Sequence, residues 1–233
     1  MQPKPWSISS LDRFDNCPKQ YNAVVVAKRV KDDMGAAADY GNYIHEHFEH
    51  YLRDRTPLPT TNPMHFNGER TPAYYQAYCD YLLTLPGEHR IEMKLALNKK
   101  LEPCDFWSPD VWVRGKADFL ALDGVIARGI DHKTGKRKPS RQMTLMALLL
   151  FHHFPEIEEV RTAFFWLKVN ERDTGKYVRA DIPAMWNQFV TSLNQYKLAY
   201  HTDKWQARES GLCHGWCPVT DCAFWKPKRP PRR

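Results

Sequence analysis

Nowhere in its 233 residues does this sequence stay apolar for long. The longest run, Leu145–Phe151, is far shorter than the roughly 20 residues a bilayer-spanning helix needs, which excludes such a helix. The opening residues, Met-Gln-Pro-Lys-Pro-Trp, lack the apolar segment of a secretory signal, so the expectation is a cytoplasmic protein. In that reducing compartment the six cysteines are predicted to be free thiols or metal ligands rather than disulfides. No internal repeat is present, which excludes solenoid architectures.

What is present points to a globular chain with an acidic partner. Hydrophobic residues make up 42% and charged residues 26%, a composition that can bury a sizeable core. Lysine and arginine outnumber aspartate and glutamate by 34 to 27, a net charge of +7, and the commonest partner of a basic domain is nucleic acid. Part of the excess sits in a tail, 226–233, where Lys226, Lys228, Arg229, Arg232 and Arg233 alternate with prolines. That composition predicts disorder and weak, salt-sensitive contact with phosphates.

Hydrophobic spacing predicts helices over 7–30, 35–54 and 72–85, then strands over 91–97, 112–122 and 125–133. A helix over 140–153, strands over 160–169 and 177–182 with a turn at Asp173-Thr174-Gly175, and a long helix over 183–205 complete the pattern. The fold class is α/β, a mixed sheet flanked by helices. It is expected as a single domain over 1–225, with an N-terminal helical part (7–86), a core (90–205) and a Cys-rich clasp (211–225) joined to Cys17.

The chemistry is concentrated in Gly115-Lys116-Ala117-Asp118 and Gly129-Ile130-Asp131-His132-Lys133-Thr134-Gly135. Residues two apart in a strand leave the same face, so Asp131 and Lys133 project together. A hairpin can bring Asp118 beside them. Two carboxylates and an ammonium suit phosphodiester hydrolysis: hard oxygen ligands hold Mg²⁺ or Mn²⁺, the metal activates a water, and the lysine steadies charge on the phosphate. Acidic-x-Lys alone is common by chance. The flanking Gly-x-Ala-Asp and Lys-Thr-Gly make the composite informative.

With these motifs, the chain resembles the PD-(D/E)XK nucleases over nearly its whole length. It looks most like the RecB-like branch, which includes CRISPR-associated adaptation nucleases and phage exonucleases. The resemblance implies a restriction-endonuclease-like core, with Asp118, Asp131 and Lys133 as catalytic residues. It also makes His45, in Gly41-Asn42-Tyr43-Ile44-His45-Glu46, a further metal ligand beside the backbone carbonyl of His132. Glu92, on the first core strand, would support the site; read by itself it is equally a solvent-facing glutamate. Gln142, opening the helix after the catalytic strand, is expected to touch substrate or lysine. Lys136, Arg137, Lys138 and Arg141 are expected to hold DNA phosphates.

Cys213, Cys217 and Cys222 lie close in sequence and, with Cys17, would satisfy a four-thiolate site. The resemblance sharpens this to a [4Fe–4S] cluster, although the spacing here is Cys-x3-Cys-x4-Cys rather than the family's Cys-x2-Cys-x5-Cys. Zn²⁺ is the alternative, with His214 as a substitute ligand. Cys79 and Cys104 are expected to be idle thiols.

The resulting expectation is a metal-dependent DNA nuclease, an exonuclease on single strands or duplex ends. By resemblance it serves phage-type recombination, repair or processing, in the bacterial host cytoplasm, as a homo-oligomer or with recombination and replication proteins. The alternative is a non-catalytic nucleic-acid-binding subunit of the same fold.

Overall fold

The computed structural model describes residues 2–32 and 35–227. The chain divides into two compact units, one over 34–185, the other made of 1–33 with 186–233.

The first of these is built on one sheet. Its strands are β1 (Glu88–Asn98), β2 (Val111–Asp123), β3 (Ile126–Lys133), β4 (Glu159–Trp166) and β5 (Glu171–Val178), in the order β1-β2-β3-β4-β5. Only β3 and β4 run parallel. A parallel pair needs a crossover, supplied by the helix α5 (Gln142–His153). Ala117 to Ala121 of β2 are all buried, the mark of a strand covered on both faces. On one side lies α5, approaching so closely that a Cβ on Gly129 would fall 2.4 Å from Met146 Sδ. On the other, α3 (Gly35–Asp54) buries Tyr40, Ile44, Phe48 and Leu52, spaced four apart. That stripe joins Cys79 and Leu82 of α4 (Gln76–Leu83) over Phe119, Ala121 and Ile130 of the sheet.

Asp173-Thr174-Gly175 is not a turn: all three residues lie within β5, paired with β4. The reversal comes earlier, between Trp166 and Glu171, with Asn170 at φ 53°. Gly175 is explained by packing, since a Cβ there would come within 2.8 Å of Thr162 Oγ1 and of the Tyr177 ring.

In the other unit, the helix expected over 7–30 is broken. α1 (Ile8–Asn16) starts at the Ser7 cap and ends where Cys17 turns extended. Pro18 forces that break, because the residue before a proline avoids helical geometry, and then serves as the first residue of α2 (Pro18–Tyr21). A single π-turn follows over Asn22–Val26. The helix α6 (Ile182–Thr202) belongs to this unit from Trp186 onward. Tyr21, fully buried, shares hydrogen bonds through its hydroxyl with Tyr196 (2.6 Å) and Tyr200 (2.9 Å). The expected basic tail lies, from Lys228 on, outside the described residues.

Candidate active site

β2 and β3 pair from Asp123↔Ile126 as far as Phe119↔Ile130 and no further. Past that point the strands part, and β3 continues alone beside β4 through Asp131, His132 and Lys133. Asp118 fills the opening: its Oδ2 accepts the backbone N–H of His132 at 2.9 Å. The side chain thus replaces the ladder bond that the diverging strands no longer make.

Two further side chains converge there. His45 of α3 lies with Nδ1 3.5 Å from Asp118 Oδ1 and 4.0 Å from Glu92 Oε1, and its Nε2 is 3.0 Å from the His132 carbonyl oxygen. One ligand atom each from His45, Glu92 and Asp118 fall within 4.8 Å of one another. Glu92 reaches the group through an unusual backbone, φ 55° in mid-strand, where β1 and β2 skip a pairing. A non-glycine residue held there is strained, and such strain clusters at functional sites.

Asp131 and Lys133 lie on the α5 side. Lys133 Nζ is 2.6 Å from Asp131 Oδ1 and donates to Gln142 Oε1 at 2.9 Å, while Gln142 Nε2 donates to Asp131 Oδ2. Asp131 is thus buried with Lys133 on one carboxylate oxygen and Gln142 on the other.

The protonation pattern follows from burial and charge. Burial alone would raise Asp118, but the His45 hydrogen bond, the neighbouring imidazoles and the His132 N–H outweigh it and hold the carboxyl well below the ordinary range. Asp131 is pushed up to about 7, by burial first and then by the Asp118 charge. Glu92 is also raised, mainly by burial, against the pull of Lys116, which forms an ion pair with it. Burial would lower His45, but the surrounding carboxylates raise it. Three carboxylates thus crowd one small space beside Lys116, Lys133 and the His45 imidazole, and their hard oxygens suit a divalent cation.

The structure brings together Asp118, Asp131, Lys133, Gln142, His45, Glu92 and the His132 carbonyl. Lys136, Arg137, Lys138 and Arg141 lie on the segment between β3 and α5. Arg137 there is engaged by Glu171 (2.6 Å) and by Asp173. Two participants escaped the sequence reading. Lys116 was legible in Gly-Lys-Ala-Asp, two residues before Asp118. Tyr78 was not: its hydroxyl, 2.6 Å from His132 Nδ1, comes from a helix 54 residues away. That contact holds the buried His132 ring on the face opposite Asp131.

In the other unit, Cys17, Cys213, Cys217 and Cys222 line one cavity. Backbone N–H groups point at two of the sulfurs, Arg208 to Cys17 Sγ at 3.5 Å and Ser210 to Cys213 Sγ at 3.4 Å. The Cys217 thiol is pushed up, by burial first and then by the other three sulfurs. Four thiols around one space are a donor set for a tetrathiolate centre. Cys79 stands apart, buried in the α3–α4 core.

Comparison with known proteins bears on the family and the fold. No curated protein matches the chain in sequence. The solved structure of a protein of Eubacterium rectale, named "Putative exonuclease", is 12% identical, with 97% of this chain and 91% of that one covered and a TM-score of 0.53. That of SSO0001 is also 12% identical, over 96% and 87%, with a TM-score of 0.48. The first of these likenesses concerns the fold. The sequence pattern of the PD-(D/E)XK nuclease superfamily matches residues 5–222, nearly the full length, and this chain belongs to that superfamily.

Proposed function

We propose that the chain is a divalent-metal-dependent deoxyribonuclease, acting as an exonuclease on DNA ends or single strands. The observation that carries this reading is the convergence of His45, Glu92 and Asp118 within 4.8 Å, next to the buried Asp131 carboxylate and its partner Lys133. His45, Asp118, Asp131 and the His132 carbonyl would hold the ion, with Glu92 beside them. Bound Mg²⁺ or Mn²⁺ supplies an activated water and neutralises charge on the phosphate.

The remaining work falls to the protein. Gln142 fixes Lys133 and Asp131 in register, donating to one and accepting from the other. Lys133 is thereby aimed to orient the attacking water and to hydrogen-bond a non-bridging phosphate oxygen. In the hydrolysis a water oxygen bonds to phosphorus, one P–O ester bond breaks, and the departing sugar oxygen takes up a proton. Lys136, Lys138 and Arg141 would steady neighbouring phosphates. The four cysteines would carry a structural [4Fe–4S] cluster, with Zn²⁺ as the alternative. A place in the RecB-like branch accords with that pairing of sites.

The test is cleavage of end-labelled single- and double-stranded DNA, and of RNA, with and without Mg²⁺ or Mn²⁺. Metal-dependent release of nucleotides from ends is expected, with activity lost by at least about a hundredfold in Asp131→Ala and Lys133→Ala. Full activity in both variants, or cutting in EDTA, refutes the assignment. A wild type that binds DNA but cuts nothing with either metal is a binding subunit instead.

A further inference from the structure

The sheet face that carries Glu92 and Lys116 continues away from the metal-ligand group as a line of cations. Gly115 of β2 faces α5, since a Cβ there would lie 2.8 Å from Leu149 Cδ1. Its neighbours Arg114 and Lys116 therefore project from the opposite side. Lys94 stands across from Lys116 in the β1–β2 register and projects with it. The Lys116 ammonium meets Glu92, so the line begins at the candidate metal ligands.

At its far end the β1–β2 connection lays two aromatic rings over the cations. Arg114 Cζ is 5.0 Å from the centroids of both Phe106 and Trp107, and Lys94 Nζ is 5.9 and 5.8 Å from them. Phe106 is half-buried and braces the indole edge-on, at 4.9 Å and 82°. Trp107 nonetheless remains 69% exposed. Its position is set rather than loose: the Asp105 carboxylate accepts its backbone N–H at 2.8 Å. A large indole that is braced, backed by two cations and open to solvent combines the features that bind an unpaired nucleobase: a ring to stack on, and positive charge for the adjoining phosphates.

We propose that Phe106, Trp107, Lys94 and Arg114 form a stacking platform for one base of a single strand entering the candidate active site. From Asp118 to Arg114 is four strand steps, about 13 Å. At about 3.4 Å per nucleotide in a stacked strand, and more when extended, the platform lies two to four nucleotides from the scissile phosphate. That placement rests on the nuclease reading; the stacking itself does not.

The experiment uses the full-length protein in EDTA, with fluorescein-labelled oligothymidylate and a blunt duplex of equal length, followed by anisotropy. Trp107→Ala is expected to weaken single-strand binding about 5- to 100-fold, Trp107→Phe much less, and duplex binding less than single-strand binding. Trp107→Phe and Arg114→Gln carry the test if the alanine variant does not fold, Arg114→Gln being expected to weaken single-strand binding. With 5-iodouracil scanned along the strand, photocrosslinking to Trp107 is expected to peak two to four nucleotides from the cleavage position. Equal single-strand affinity in wild type and Trp107→Ala overturns the platform, as does crosslinking elsewhere. Binding that needs Trp107 in a protein that cuts nothing keeps the platform and overturns the nuclease reading.

Discussion

Asp118 Oδ2 accepts the backbone N–H of His132 across 2.9 Å, at the point where β2 and β3 separate. One carboxylate thus does two things: it satisfies a buried donor of the parted strands and presents its other oxygen to His45 at 3.5 Å. The two roles separate by substitution. Asp118→Asn keeps an acceptor for His132 and loses the charge; Asp118→Ala loses both. Both variants are expected to lose nuclease activity. The alanine variant should lose about 1–3 kcal/mol more metal-free stability than the asparagine variant, for an unpaired buried N–H. At 2–4 °C per kcal/mol for a domain of this size, that is roughly 2–12 °C in Tm. Equal melting of the two variants in EDTA would show that the hydrogen bond does not support the strand opening.

Glu92 poses the opposite trade. Its φ of 55° costs on the order of 1–3 kcal/mol for a residue with a side chain, and glycine adopts that conformation freely. Glu92 also sits half-buried beside Asp118, with a partly exposed lysine and the His45 ring as partners. Glu92→Gly should therefore melt no lower than wild type without metal, yet gain less from added Mn²⁺ and cut more slowly. For wild type, Mn²⁺ at a hundred times its Kd should contribute about 2.7 kcal/mol, roughly 5–11 °C. A clear drop in the metal-free Tm of Glu92→Gly would mean that the Lys116 ion pair outweighs the backbone strain.

How far these features were legible follows from how local they are. Asp131 and Lys133 share a face by the two-residue period of a strand, and Asp118 sits one tight turn away, so a short window sufficed. The superfamily membership rests on a pattern matched over residues 5–222, well beyond those motifs. His45 and Glu92 are brought in by tertiary packing, and only resemblance pointed to them. Tyr78 carried no signal at all, because its partner His132 lies on another element 54 residues on. The turn expected at Asp173-Thr174-Gly175 failed for a different reason: glycine was read as a conformational device, whereas Gly175 makes room for Tyr177 and Thr162. The break at Cys17-Pro18 was written in the sequence as a proline, but the apolar spacing through it continued to read as one helix.

His132 stands between the two motif residues Asp131 and Lys133, and it is 2% exposed. Burial lowers its pKa from 6.5 to about 4, and Nδ1 shares a hydrogen bond with the Tyr78 hydroxyl, itself held protonated by burial. The neutral ring is favoured in the folded state. Its contribution to stability is complete above pH 6.5 and is lost as pH falls from there toward 4. Replacing the pair together, His132→Phe with Tyr78→Phe, avoids stranding a buried hydroxyl and leaves the His132 carbonyl in place. In EDTA the double variant should lose less stability than wild type between pH 6.5 and 4.5. Asp131 and His45 titrate in the opposite sense in both proteins, so the difference between the two curves isolates His132. Parallel curves would mean that the ring is not held neutral.

The cysteine cavity gives the last expectation. Cys17 follows α1 in sequence, while Cys213, Cys217 and Cys222 lie in a segment with only one short helical turn, Gly211–Cys213. Such a segment is held by turns rather than by a long helix or a strand, and a bound centre would add to its stability. Purified without oxygen, the protein should be brown and contain iron and acid-labile sulfide. Cys17→Ala should lose both and melt at lower temperature, whereas Cys104→Ala, outside the cavity lining, should keep full iron. Stoichiometric zinc in a colourless sample would identify the tetrathiolate as a zinc site. A wild type that holds neither metal, and melts as Cys17→Ala does, would reduce the four cysteines to packed thiols.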